Sequence, residues 1–282
     1  MNPRFCNSWR FLLLSCAISV LTATPAPAQQ KTTSQTRPCS RPPCVTRTGQ
    51  TIVDAKLPDD PAVERMLKPY SGKVRALNVV IGQLDGELRK SGVGGGSLGH
   101  FVTDGIRSQA SAKLGKPVLL AITNSGGLRK NTIAAGELRA SDIFELMPFE
   151  NALVQVDLKG EDLLKLLAVV VDSRDAQSGA KVQYRMDGEK AELVGAKFVD
   201  SGGQETEIDP NATYSIVTID YLLNLSSGRY SVLQRGKNVA QLGLTLRDAL
   251  MNYVRAETAA GRKIHAGVDT RFVNVSPGGQ PQ

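Results

Sequence analysis

At residue 123 the chain changes character. Pro117-Val118-Leu119-Leu120-Ala121-Ile122 is an unbroken apolar run. Its proline start and β-branched members make it read as a buried strand. Asn124-Ser125-Gly126-Gly127-Leu128-Arg129 follows almost at once. The glycines let backbone come close to a ligand and reach positive φ. Arg129 adds a planar fork of donors, and the Asn124 amide carries both a donor and an acceptor. On residue types alone this is a polar loop at the end of a strand, and many proteins have one.

The rest of the chain reads as intermixed helices and strands. Pro58 and Pro61 start a short helix over 62–68, with Val63, Met66 and Leu67 on one face. Residues 74–84 alternate as a strand, and Asp85-Gly86 is its turn. Residues 91–96 are glycine-rich but lack the G-K-S/T ending of a phosphate-cradling loop. Ser97 is expected to cap a helix that places Leu98, Phe101, Val102 and Ile106 on one face. Ser141 or Asp142 opens a short helix that Pro148 stops, and spacing leaves Phe149 either a core plug or an exposed platform. Residues 153–158, 181–186, 192–199 and 214–219 read as strands, with Asp-Gly and Gly-Gly turns among them. Gly160 is expected to cap a helix whose first turn holds Glu161 and Asp162 and whose residues 163–171 are apolar almost all round, and Thr245 with Asp248 caps a last helix. Without a strict βαβ order, the class is α+β, or mixed α/β.

Four segments then fall in a fixed order. The Asn124 loop is followed by Gly136-Glu137-Leu138-Arg139-Ala140-Ser141-Asp142-Ile143, by Met147-Pro148-Phe149-Glu150-Asn151, and by Val154-Gln155-Val156-Asp157-Leu158-Lys159-Gly160. In order and spacing they resemble the C-terminal domain of the 5'-nucleotidase family. The resemblance runs from about Val74 to Val275 and is strongest between Ser97 and Leu167. It implies a layered α/β/β/α sandwich that binds a nucleoside or nucleotide. It also implies the substrate-binding residues Asn124, Gly126, Gly127, Arg129, Phe149, Asn151 and Tyr230. Phe149 would stack on one face of a base, Tyr230 on the other, and Arg129 would hold the phosphate.

The chain departs from the family pattern in several places. Leu98-Gly99-His100 with Asp104 keeps a helix-start motif but has His where the family has Asn. Tyr221-Leu222 keeps part of an N-F/Y-L stretch. Gly228-Arg229-Tyr230 keeps the small residue and the aromatic of a G-G-D-G-F/Y loop and loses its acid. Gly236 and Lys237 stand near the place of a ribose-binding Asp. Only Arg89 and Lys90 are close to where the family has phosphate-binding arginines, so phosphate binding would rest mainly on Arg129.

The first residues read as an export signal. Arg4 and Arg10 precede the apolar run Phe11 to Leu21, and Ala26-Pro27-Ala28 offers a cleavage site. The run is short for a bilayer span. Leu13-Leu14-Ser15-Cys16 loosely resembles a lipoprotein box, but the apolar run continues past Cys16. The formal charge of +7 falls to +5 on cleavage, because two arginines leave and no acid does. No basic run is interleaved with aromatics, so composition does not point to nucleic acid. Cys39 and Cys44 either close a small loop in an oxidising compartment or stay free thiols. The expected organisation is a signal peptide over 1–28, a polar tether over 29–57, the domain over 58–276 and a loose tail over 277–282, in a secreted or periplasmic protein without a membrane span.

Catalytic chemistry is sparse. The two histidines, His100 and His265, lie far apart and outside any metal-spacing cluster. No G-x-S-x-G elbow or Cys/His pairing is found. Full-length members of the resembling family hold two metals on a further metallophosphatase domain, where they clamp the attacking and leaving oxygens of a phosphate ester. The expectation is therefore no catalytic residue and no cofactor in this chain, with divalent metals on a separate metallophosphatase subunit. Two readings follow. One is the substrate-binding part of a phosphate-ester hydrolase in nucleotide catabolism. The other is a non-catalytic extracytoplasmic nucleoside- or nucleotide-binding or scaffold module.

Overall fold

The computed structural model describes residue 54 and residues 57–225 and 227–277. The expected signal peptide, nearly all of the tether with Cys39 and Cys44, and most of the tail lie outside the described residues. From Asp60 onward the chain forms one compact unit. In chain order it holds α1 (Pro61–Ala76), β1 (Val80–Leu84), β2 (Leu88–Arg89), α2 (Gly96–Leu114), β3 (Ala121–Thr123), β4 (Thr132–Ile133), β5 (Gly136–Arg139), α3 (Ala140–Leu146), β6 (Ala152–Lys159), α4 (Gly160–Asp172), β7 (Ala176–Ser178), β8 (Ala180–Asp187), β9 (Lys190–Val199), β10 (Glu205–Glu207), β11 (Thr213–Ile219), α5 (Asp220–Leu223), β12 (Lys237–Thr245), α6 (Leu246–Ala259) and β13 (Phe272–Asn274). This is the α+β class that the sequence pattern implied.

Two larger sheets organise it. One has the order β12-β6-β11-β3-β7 and the other β10-β9-β8-β13. β11 runs antiparallel to β6 from Thr213 opposite Lys159 to Ile219 opposite Leu153, and parallel to β3 at Val217 and Ala121. α2 packs on α6 and on β7 and β3, while α4 packs on β6 and β11 and also on β9. A helix that touches both sheets needs apolar side chains on most of its circumference. That is why Leu163, Leu166, Leu167, Val170 and Val171 are all buried.

Several local expectations change. The first helix does not stop at residue 68 but runs to Ala76, and the strand expected over 74–84 is confined to Val80–Leu84. Val63, Leu67, Tyr70 and Val74 recur at helical spacing, and that period overrides the short alternation beyond Val74. The apolar run at 117–122 enters the sheet only at its end, where the Val217 N–H donates to Leu120 O at 2.9 Å. Ser97 is not the cap of α2. Gly95 is, at φ 72°, and the Ser97 hydroxyl accepts from the Arg89 N–H at 2.9 Å. The glycine run before it is a packing corner. Gly94 has φ +90°, and a Cβ there would lie 2.4 Å from two ring carbons of Phe272. Thr245 does cap α6, accepting from the Asp248 N–H at 3.1 Å.

Candidate functional site

Three neighbouring strands of the five-stranded sheet bring the candidate residues together. Because β11 is parallel to β3 and antiparallel to β6, one edge of the sheet collects the carboxyl ends of β3 and β11 and the amino end of β6. The Asn124 loop leaves β3 there, Phe149 and Asn151 lead into β6, and Tyr221 follows β11. Asn124, Gly126, Gly127, Arg129, Phe149, Asn151 and Tyr221 line one cavity of about 270 Å³.

The loop is held from below. Residues 125–127 form a single 3-10 turn. The Ser125 N–H donates to Asp175 Oδ1 at 2.6 Å and its hydroxyl to Arg174 O at 2.7 Å. Lys90 Nζ donates to Ser125 O at 2.7 Å and to Leu128 O at 3.2 Å. The Arg129 N–H donates to Leu146 O at 2.9 Å, at the end of α3. Lys130 reaches Asp142 at 3.1 Å and Glu145 at 2.6 Å on the same helix. Asn124 Oδ1 is buried and has no hydrogen-bond partner among the described residues, a state that costs about 1–3 kcal/mol unless a donor arrives. A Cβ on Gly127 would sit 3.4 Å from that oxygen. Glycine therefore leaves the amide room to turn.

Two aromatic rings also line the cavity. Phe149 is 37% exposed and Tyr221 51% exposed. The Arg129 guanidinium carbon lies 5.0 Å from the Phe149 ring centroid, a cation–π contact worth about 0.5–1 kcal/mol at an exposed site. Among the described residues no carboxylate is within ion-pair distance of Arg129, so its charge is free for an anion. The turn that carries Phe149 is pinned by α6. Arg247 pairs with Glu150 and lies over the Phe144 ring at 4.3 Å, and the Leu246 N–H donates to Asn151 O at 2.8 Å. Asp220 Oδ1 accepts from the Ala152 N–H at 3.1 Å and the Tyr221 N–H at 2.7 Å. One carboxylate thus fixes Tyr221 beside the start of β6.

Tyr230 is not in this cavity. It belongs to the 3-10 segment Arg229–Arg235, is only 7% exposed, and donates its hydroxyl to Asp175 Oδ2. Arg229 pairs with Asp172 at 2.9 Å, and Leu233 is buried. An ion pair and an apolar anchor thus fold the segment back onto the end of α4. Burial pushes the Asp175 carboxyl up to about 6, against the two hydrogen bonds that favour its charged form. The second exposed ring of the cavity is Tyr221. The available signal was Tyr221-Leu222, which keeps part of the N-F/Y-L stretch directly after the strand at 214–219.

Two other features are not part of the site. A larger cleft of about 870 Å³ is lined by Arg107, Phe198, Tyr214 and Tyr253. The Arg107 guanidinium is already committed to Val118 O at 2.9 Å and Val199 O at 3.2 Å. His100 is buried at the start of α2, where desolvation lowers its pKa to about 4.

With that geometry in view, likeness to known proteins has a place to attach. The sequence profile of the 5'-nucleotidase C-terminal domain matches residues 76–235. Protein UshA of Yersinia enterocolitica is 30% identical over 168 residues, 59% of this chain and 29% of its own length. A 5'-nucleotidase of Vibrio vulnificus is 28% identical over 58% of this chain and 29% of its own length. This chain therefore spans under a third of either relative. Among solved structures, a 5'-nucleotidase precursor from Thermus thermophilus superposes with a TM-score of 0.63 at 24% identity, over 78% of this chain and 44% of that one. Haemophilus influenzae NAD nucleotidase gives 0.57 at 16% identity, over 77% and 42%. The two structures bear on the fold alone, whereas the profile covers more than half of the sequence. The chain belongs to the 5'-nucleotidase C-terminal domain family.

Proposed function

We propose that this chain is the nucleotide- or nucleoside-binding part of a 5'-nucleotidase-type phosphate-ester hydrolase. It is exported and acts in nucleotide catabolism with a separate metallophosphatase chain. One observation carries the reading. A free guanidinium, an amide with a spare acceptor and two exposed rings line a single cavity of about 270 Å³. A flat heterocycle stacks on Phe149 and Tyr221, worth about 0.5–1.5 kcal/mol per ring beyond area burial. The unpartnered Asn124 oxygen takes a donor from the ligand. Arg129 takes the phosphate, bidentate where geometry allows. The work of this chain is to bind and orient the ester. The divalent metals sit on the partner and supply the clamp on the reacting phosphate.

The test has two arms. The purified chain is titrated with adenosine monophosphate by calorimetry, alongside the Phe149→Ala/Tyr221→Ala variant. It is then mixed with each metallophosphatase chain of the same genome, a divalent metal and the same nucleotide. Binding that drops at least about tenfold in the double variant, with phosphate release above that of the partner alone, is the expected result. Equal affinity in the double variant removes the ligand assignment. Phe149-dependent binding without any gain in phosphate release favours the second reading, a non-catalytic binding or scaffold module. One observation already leans that way: Gly228-Arg229-Tyr230, where the family has an acid-bearing loop, is turned onto α4 and offers the cavity nothing.

A further inference from the structure

α1 has an apolar stripe that nothing in the described chain covers. None of its residues is buried. Val63, Met66, Leu67, Tyr70 and Val74 are 48%, 67%, 56%, 62% and 63% exposed. At 100° per residue they fall on one face. Together they expose on the order of 500–600 Å², at the upper end of the largest patch on a typical monomer. The helix is otherwise well specified. Asp60 caps it, accepting from the Ala62 N–H at 2.7 Å, and Pro61 is its first residue. Its interior is weak, however, because Pro69 and Gly72 lie within it and cost about 3 and 1 kcal/mol against alanine. A helix of 16 residues with two such positions is marginal in water without tertiary contacts.

The stripe has the spacing of a two-helix seam. Val63, Leu67, Tyr70 and Val74 follow each other at four, three and four residues, the alternation of core positions in a coiled coil. Pro69 and Gly72 fall on the far side, where the seam asks nothing of them. Charge selects the direction. The amino-terminal part carries Asp59, Asp60 and Glu64 against the single cation Arg65, and the last turn carries Lys73 and Arg75. In a parallel pair like charges meet. In an antiparallel pair that sets Leu67 against Tyr70 of a second copy, Val63 meets Val74 and Glu64 comes opposite Arg75, twice by symmetry.

We propose that α1 is a homodimerisation helix: its apolar face packs antiparallel against the same face of a second copy, with Glu64 of each paired to Arg75 of the other. The area offered per copy lies below the roughly 800 Å² per partner of a standard interface, the size class of weak, transient association. The proposal is independent of the ligand assigned to the cavity.

Sedimentation velocity on the full chain between about 1 and 100 µM reads it directly. The expected result is a mass that rises from monomer towards dimer across that range. Leu67→Asp with Tyr70→Asp holds the chain monomeric throughout, and both residues are exposed, so the thermal unfolding curve of the domain stays in place. Glu64→Arg and Arg75→Glu each weaken self-association at least about tenfold by placing like charges face to face. An equimolar mixture of these two variants recovers the dimer, because each Arg then meets a Glu. A chain that remains monomeric at the highest concentration overturns the proposal. So does a dimer that survives Leu67→Asp/Tyr70→Asp, or a mixture that does not recover. Cosedimentation of the wild type, but not of that variant, with anionic phospholipid vesicles in place of self-association assigns the face to a membrane surface and also overturns it.

Discussion

Tyr230 donates its hydroxyl to one oxygen of Asp175, and the other oxygen of that carboxylate accepts the Ser125 N–H at 2.6 Å. The aromatic marked by its motif as a stacking ring is thereby a strut under the Asn124 loop. Tyr230→Phe keeps the ring and strands a buried acceptor, so stability falls by about 1–3 kcal/mol. Urea unfolding measures that loss. Adenosine monophosphate affinity changes far less than in Phe149→Ala. An unchanged unfolding midpoint together with lost nucleotide binding would return Tyr230 to the ligand site.

The same carboxylate gives a pH signature. Burial raises Asp175 from 3.8 to about 6 in the folded chain. Between those values the folded protein keeps a proton that the unfolded chain has released. The folded state then binds more protons, so stability falls as pH rises through the window. The loss is on the order of 2–3 kcal/mol by pH 7. Asp175→Asn has no proton to lose. Carboxylates held low by partners, such as Asp157, contribute the opposite slope at lower pH. The difference in unfolding free energy between wild type and Asp175→Asn isolates the term. It should change steadily from about pH 4 to pH 7 in favour of the variant. A flat difference curve counts against a raised pKa at Asp175.

Arg271 is a second strut, and it does not line the cavity. Its guanidinium forks onto Asp104 at 2.9 and 3.0 Å and also bonds Asp269 at 2.6 Å. Its side chain is 14% exposed while that of Asp104 is 36% exposed. Removing one partner of a fully buried pair costs about 3–5 kcal/mol, and the half-open Asp104 lowers that to about 2–3. Arg271→Met should lose this much in chemical denaturation without shifting nucleotide affinity. A variant as stable as wild type would mean that water replaces the pair at no cost.

Much of the cavity was legible in the sequence, for a physical reason. Asn124, Gly126, Gly127, Arg129, Phe149 and Asn151 lie within 28 residues of one another, so local motif order almost fixes their meeting. The other ring comes from the far side of the chain. Whether Tyr221 or Tyr230 faces the cavity depends on where the 229–235 segment packs, and that depends on Asp172, Ser173 and Asp175 at the end of α4. No local pattern near Tyr230 reports those partners. The strands at 181–186, 192–199 and 214–219 were readable because turn residues such as Asp187-Gly188 and Gly202-Gly203 separate them. α1 and β1 were blurred because Val74 fits either period, and only the backbone bonds from Leu77 and Asn78 back to Val74 and Arg75 decide it.

If Arg129 holds the ligand phosphate, as proposed, it separates nucleotides from nucleosides. Its guanidinium is exposed and has no carboxylate partner among the described residues, so a ligand phosphate meets an uncommitted charge at the rim of the cavity. Solvent screens a pair of that kind, which limits its worth to about 1–2 kcal/mol, or roughly 5- to 30-fold in affinity. Arg129→Ala should therefore weaken adenosine monophosphate by that factor while adenosine loses only the small cation–π support of Phe149. Raising salt from 50 to 300 mM, chosen on the order of a two-fold change in Debye length, should weaken the monophosphate for wild type and leave the variant nearly unmoved. Arg129→Lys should recover part of the phosphate preference, since it keeps the charge and loses the planar fork. Phe149→Ala should weaken both ligands alike, because stacking ignores the phosphate. Calorimetry on the four proteins with the two ligands at the two salt concentrations gives the full comparison. If Arg129→Ala weakens adenosine as much as its monophosphate, Arg129 serves to brace the Phe149 ring and the phosphate lies elsewhere.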